Sequence, residues 1–214
     1  MRDLRTVLAW VAEGTALCGK ALDGLDEASY GAPSQLPGWT RKHVVAHLAG
    51  NAEAIGNLLH WARTGEPTPM YGSPGQRDAA IESGAGLPGD WLTAWFEESA
   101  RTLADAMAQL TEQQWQAEVV TAQGRTVPAS ETPWMRCREV MVHAVDLGTG
   151  VRFADLPEEF LAELRDDILA RRGRDGVPAV HGTAAEVTAY LAGRPALGVT
   201  TTDGSTAEPL TPWL

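Results

Sequence analysis

Glu139 and His143 stand four residues apart, with Asp146 three residues further on. If this segment is helical, the i,i+4 spacing brings a carboxylate and an imidazole within reach of one metal ion. Such pairs also occur on solvated helix faces, so the pair alone is a weak signal. His47 changes its weight. It falls on an otherwise apolar helical face with Val44, Leu48, Ile55 and Leu59, and Asn51 sits one turn beyond it. Burying two polar side chains without partners is costly, so His47 and Asn51 need a reason to be there. Two histidines and one glutamate form a catalytic zinc set, which leaves a fourth position for water or a substrate atom. His43 is the rival ligand, since His43 and His47 together could clamp an ion with Glu139 or His143 as the third donor. Its place toward the edge of the apolar face makes a surface role the cheaper reading. Asp146 is spaced to hydrogen-bond the His143 ring and fix its tautomer. His60 and His181 lack such company and read as structural or exposed.

The elements that must position these groups are helical. Apolar residues recur at Leu4, Val7, Leu8, Val11, Cys18, Leu22 and Leu25, the period of one long amphipathic helix. Thr40 is a good N-cap for a second helix, which Gly65-Glu66-Pro67 stops. Residues 65 to 89 read as a long loop with a short helical piece at Arg77 to Glu82, and a third helix starts near Asp90. Glu118 to Val127 alternates around Gln123-Gly124, a small hairpin. Ser130 is expected to cap a fourth helix with Pro133 in its first turn, running to about Gly148. On it Arg136, Glu139, His143 and Asp146 form one polar stripe beside an apolar one. A fifth helix spans Asp155 to Arg172, Arg171 to Pro178 reads as a linker, and Thr183-Ala-Ala-Glu186 is a capping box opening a helix to Gly193. Leu197 to Thr201 with Asp203-Gly204 reads as a terminal strand and turn. The expectation is a mainly α protein, with a helical bundle over residues 1 to 172 and a small α/β tail over 173 to 214.

The composition bounds the partners. Among 214 residues, 17 Lys+Arg against 28 Asp+Glu give a formal charge of −11, with no basic block. Binding to a phosphate backbone requires the opposite footprint, so nucleic acid is not an expected partner, and an anionic ligand needs local cations. No apolar run is long enough to span a bilayer, and the N-terminal residues lack a basic stretch leading into an apolar one. Cys18 and Cys137 fall on apolar stripes and read as small buried hydrophobes rather than a disulfide. A cytoplasmic monomer acting on a small molecule is the expectation.

Longer stretches carry a resemblance. Leu36-Pro-Gly-Trp-Thr-Arg-Lys-His-Val-Val-Ala-His47-Leu-Ala-Gly-Asn51-Ala, Trp61-Ala-Arg-Thr-Gly, Thr68-Pro-Met-Tyr71 and Arg77-Asp-Ala-Ala-Ile-Glu82 are four of them. Pro133-Trp-Met-Arg-Cys-Arg-Glu139-Val-Met-Val-His143-Ala-Val-Asp-Leu-Gly, Leu191-Ala-Gly-Arg194 and Pro212-Trp213-Leu214 complete the set. Together they resemble the mycothiol-dependent maleylpyruvate isomerase family, a branch of the DinB-like four-helix bundles. The resemblance implies zinc held by His47, Glu139 and His143, with the thiol cofactor mycothiol at the open position. A zinc-bound thiol is deprotonated, so a thiolate nucleophile exists at neutral pH. In the family's reaction it adds to the cis double bond of maleylpyruvate, the resulting single bond rotates, and elimination returns the trans isomer. The substrate's carboxylates need cations, and the resemblance implies Arg77 and Arg194 for that role. Trp39, Asn51 and Tyr71 fall near the mouth of the proposed site, but core packing accounts for Trp39 and a loop for Tyr71 equally well, so none is given a site role.

One departure from the family pattern is expected. The chain passes almost directly from Val177-Pro178 to the helix at Thr183, so the C-terminal domain reads as abbreviated. Such a tail keeps the zinc and thiol half of the site and opens the acceptor pocket to another substrate. Two further readings therefore stand beside the isomerase: a mycothiol S-transferase that stops at the adduct, and a non-catalytic metal-binding bundle.

Overall fold

The structure, a computed structural model, describes residues 2–173 and 176–213. Met1, Leu214 and two positions of the expected linker lie outside them. Contacts divide the chain into two compact units, one up to Gly150 and one from Val151 onward.

The first unit is built on four long helices: α1 (Leu4–Leu22), α3 (Arg41–Thr64), α5 (Gly89–Gln109) and α7 (Thr132–Asp146). α1 packs mainly on α7, α3 on α5, and α3 also on α7. α1 begins where the Asp3 carboxylate accepts the Thr6 N–H at 2.9 Å. It ends three residues before the sequence reading put it, because Asp23 turns extended and Gly24 takes a φ of +72°. The chain then makes a short helix, α2 (Glu27–Gly31), that the apolar period does not reveal. α3 follows the expected bounds, with Thr40 as N-cap and Gly65 left-handed at its end. Ile55, Leu58 and Leu59 of its buried face share one core cluster with Leu103 of α5. The long loop carries α4 (Gln76–Ala85), longer than the expected piece.

After α6 (Glu112–Trp115), strands β1 (Glu118–Val120) and β2 (Thr126–Pro128) pair antiparallel with Val119 opposite Val127. The hairpin leads into α7, but Ser130 is not its cap. Ala129–Glu131 forms a 3-10 turn, Glu131 occupies the cap position, and the Thr132 hydroxyl donates to the Ala129 carbonyl. α1 and α7 approach closely at Gly14, where a Cβ would stand 2.6 Å from Val140 Cγ2 and 3.2 Å from the Met141 backbone nitrogen. Only a glycine admits that approach.

The second unit holds α8 (Glu158–Arg172) packed on α9 (Ala184–Leu191), and a two-stranded antiparallel pair. The pair is β3 (Val180–His181) with β4 (Thr200–Thr201). α8, which its amphipathic pattern assigned to the bundle, thus groups with the tail, because its buried Phe160, Leu164 and Ile168 belong to the unit containing α9. The Thr183 capping box forms as expected, with Glu186 Oε2 accepting the Thr183 N–H at 3.0 Å. Among the described residues no helix is long and apolar enough to cross a membrane.

Candidate metal centre

α3 brings His47 and α7 brings Glu139 and His143 to the same point between the helices. The ligand atoms of the three residues all lie within 4.8 Å of one another. Glu139 Oε2 is 2.9 Å from His47 Nε2 and 3.2 Å from His143 Nε2, so one carboxylate oxygen faces both rings. The two imidazoles meet edge to face with centroids 4.9 Å apart. Ligand atoms about 2 Å from a tetrahedral zinc stand about 3.3 Å from each other, so this spacing suits an ion of that size. Among the described residues no other histidine, cysteine, aspartate or glutamate joins the cluster. Three protein donors are the number of catalytic zinc sites, whereas structural sites are closed by four.

The surrounding polar groups orient the trio. Asp146, fully buried, lies with Oδ2 at 2.8 Å from His143 Nδ1, which leaves Nε2 facing Glu139. Burial would lower the His143 pKa, but the carboxylates on its two nitrogens outweigh it and push the group up to about 9. Burial would likewise raise the Glu139 carboxyl, but hydrogen bonds with His143 and His47 hold it well below its ordinary range. At His47 burial wins over Glu139 and keeps the ring below its ordinary pKa. Without a metal, therefore, the cluster at neutral pH holds a charged His143, an ionised Glu139 and a neutral His47.

His43 does not join. Its Nδ1 accepts the Thr40 N–H at 3.2 Å and stands 2.7 Å from the Thr40 hydroxyl, while Nε2 turns toward Glu82 at 3.7 Å. It completes the N-terminal capping box of α3 in the place usually taken by glutamate. Asn51, unexplained in the sequence, accepts from Arg136 Nη1 at 2.9 Å, and the same nitrogen donates to the Leu48 carbonyl at 2.7 Å. Arg136 has no solvent exposure.

Beside His47 a cavity of about 140 Å³ is lined by Tyr71 and Arg77 among others. Arg77 is half-exposed and paired with Asp78 at 2.9 Å, and its charge helps to depress the His47 pKa. Burial raises the Tyr71 pKa, so the phenol keeps its proton at neutral pH. Trp39, for which the sequence leaves core packing and a place near the mouth both open, is a half-buried ring 5.7 Å from His47 and stacked on His43 at 6.2 Å. The signal for it was its position one residue before the cap of the helix that carries His47. Arg194 lies in the second unit, buried, with Nη1 donating to the Ala192 carbonyl at 2.8 Å.

Both cysteines are reduced and buried. Cys18 donates to the Val140 carbonyl at 3.1 Å, and burial pushes its pKa up to about 12. Burial pushes Cys137 up as well. Neither thiol is activated, so thiolate chemistry at this centre requires a thiol from outside the chain.

The profile of the family described as "Mycothiol maleylpyruvate isomerase N-terminal domain" matches residues 11–148, which contain all three candidate ligands. Comparison with curated protein sequences gives no match. Two solved structures are similar over nearly the whole chain. One, of a mycothiol-dependent maleylpyruvate isomerase carrying a histidine-to-alanine substitution, is 40% identical, with a TM-score of 0.92. It covers 98% of this chain and 97% of its own. The other, of the mycothiol-dependent maleylpyruvate isomerase, is 41% identical with a TM-score of 0.89 and the same coverage. The similarity extends through the C-terminal portion. The short segment ahead of the Thr183 helix contains the two-residue strand β3. A family profile over most of the first unit, and 40% identity across 98% of the chain, place it in the mycothiol-dependent maleylpyruvate isomerase family of enzymes.

Proposed function

We propose that this chain is a zinc- and mycothiol-dependent cis–trans isomerase acting on maleylpyruvate or a closely related cis-enone dicarboxylate. The observation that carries the reading is the convergence of His47, Glu139 and His143 within 4.8 Å from two helices. His47 and His143 would hold zinc through Nε2 and Glu139 through a carboxylate oxygen. Bound there, zinc would keep the thiol of mycothiol as a thiolate at neutral pH, the nucleophile needed for reversible addition to a double bond.

The chain's own residues do the rest. Asp146 keeps the His143 proton on Nδ1 and presents Nε2 to the ion. Trp39, packed beside His47, excludes water from that side of the ring. Arg77, at the cavity beside His47, binds a substrate carboxylate and offsets the negative charge that builds up as the double bond opens. Arg194 is assigned the second cationic role by the same reading. In a chain of formal charge −11 such cations must be local, because the overall field repels a dianion. The full-length similarity to solved isomerases supports the isomerase reading over an S-transferase that stops at the adduct.

The test is elemental analysis of wild type and His47→Ala, followed by the absorbance of maleylpyruvate with and without mycothiol. Stoichiometric zinc in wild type only, with conversion only in the presence of thiol, is the expected result. A wild type that takes up no zinc, or a thiol-independent conversion, overturns the reading.

A further inference from the structure

We propose that the sugar part of the thiol cofactor lies along α3, in a groove between α3 and α5 entered past Glu53, Asn57 and Trp95. The inference rests on the functional reading above and adds to it the site that selects this thiol from simpler ones. Mycothiol joins a cysteinyl group to glucosamine and inositol, so two hydroxylated rings must be housed some distance from the sulfur.

The cavity beside His47, at about 140 Å³, is too small for the whole molecule, since pockets for ligands of that size run from about 300 to 1,000 Å³. A second hollow lies beside it. Glu53, Asn57 and Trp95 line the smaller cavity, and the same three residues line the second, of about 560 Å³, on the α3–α5 face. The two spaces therefore adjoin at these three residues. His47, Gly50, Ala54, Asn57 and His60 follow one another at intervals of three and four along α3, which makes that helix a ruler. At 1.5 Å per residue, Asn57 stands about 15 Å and His60 about 20 Å along the axis from His47. A sulfur at the His47 end, an amide spacer in the small cavity and two rings beyond Glu53 fit that order.

The chemistry at the junction suits a sugar. A pyranose offers an apolar C–H face and a rim of hydroxyls, and so needs an aromatic surface edged by fixed polar groups. Trp95 is half-buried at the junction, its Nε1 donating to Glu53 Oε1 at 2.6 Å and its ring braced by Trp91 at 5.6 Å. Asn57 is anchored through Nδ2, which donates to the Pro69 and Met70 carbonyls at 3.4 Å each, and its carboxamide oxygen remains an acceptor for a hydroxyl. Leu59 and Leu103 give the wider groove an apolar floor. Glu53 at its entrance disfavours an anionic occupant, which separates this end from the Arg77 end.

The experiment is titration calorimetry of the thiol-free disaccharide, glucosaminyl-inositol, with wild type, Trp95→Ala and Asn57→Ala. Alongside it, kcat/KM is measured with mycothiol and with N-acetylcysteine, which lacks both rings. Each variant is expected to weaken disaccharide binding by about tenfold, the scale of one lost hydrogen bond or stacking contact. The ratio of kcat/KM with mycothiol to that with N-acetylcysteine falls in parallel, while zinc content holds. Disaccharide binding unchanged in both variants, or none to wild type, overturns the proposal. If wild type shows no thiol-dependent conversion yet loses disaccharide binding in the variants, the groove stands as a sugar site and the isomerase reading is what fails.

Discussion

Arg136 of α7 donates Nη1 to the Asn51 side chain of α3 at 2.9 Å, and so ties together the two helices that carry the candidate zinc ligands. The same nitrogen holds the Leu48 carbonyl, one residue from His47, at 2.7 Å. Burial pulls the guanidinium pKa down to about 10, which still leaves it charged at neutral pH. Arg136→Met strips both acceptors of their donor inside the core. Hydrogen bonds to a charged group contribute about 1.5–3 kcal/mol each, so a loss of about 3–6 kcal/mol is expected in urea unfolding. Asn51→Leu should cost less, since the Leu48 carbonyl keeps its partner. Equal midpoints for wild type and Arg136→Met would refute the tie.

The two histidines of α3 should separate cleanly. His43→Ala removes a capping contact and is expected to cost about 1 kcal/mol while zinc stoichiometry is retained. Asp146→Asn keeps the shape but offers His143 Nδ1 a weaker acceptor, and zinc affinity should fall about 10–100-fold. Competition with a chelator of known affinity reads both. Zinc loss in His43→Ala would make it a ligand after all.

Zinc affinity should rise with pH. His143 has its pKa raised to about 9, so below that value the ion must displace a proton from it. One proton released corresponds to about a tenfold gain in affinity per pH unit, flattening as the pH passes about 9. The same shift has the opposite consequence for the chelated protein. Its stabilising contribution is complete below the unfolded value of about 6.5 and is lost as the pH rises through about 9. Zinc titrations and thermal melts from pH 6 to 9 check both slopes. A flat affinity profile would mean that His143 is already neutral.

Two glycines of α1 should respond in opposite directions. Gly14→Ala places a Cβ against Val140 and the Met141 backbone and is expected to destabilise by about 1–3 kcal/mol. Gly19→Ala meets nothing within 4 Å and should stabilise by about 0.5–1 kcal/mol through helix propensity. Chemical denaturation of the pair measures the difference.

What was legible in the sequence was what helical periodicity encodes. Glu139 and His143 belong together because their spacing is local, and His47 stood out because an imidazole interrupts an apolar face. Thr40, Gly65 and the Thr183 box were readable because caps are chemical signals a few residues long. The partner of Asn51 was not readable: Arg136 belonged visibly to a polar stripe, but its contact spans 85 residues of chain and depends on how α3 and α7 cross. His43 looked like a rival ligand because it stands four residues before His47, whereas what decides its role is Thr40, three residues before it, which it caps. The grouping of α8 was hidden because an amphipathic helix states that it has a buried face and not what covers it.

The close approach at Gly14 holds the register of α7 behind the ligands. Val140 and Met141, pressed by the backbone of α1, lie between Glu139 and His143. A slip of α7 by one residue would swing both ligands by about 100° around the helix, and α1 stands in the way of that slip. On the side where α3 faces α4 there is a second close approach: a Cβ on Gly84 would stand 2.7 Å from the Cβ of Ala46, one residue before His47. A lineage built on this frame, or a designer borrowing it, would keep both glycines and vary the residues around them, leaving the metal's coordinates untouched.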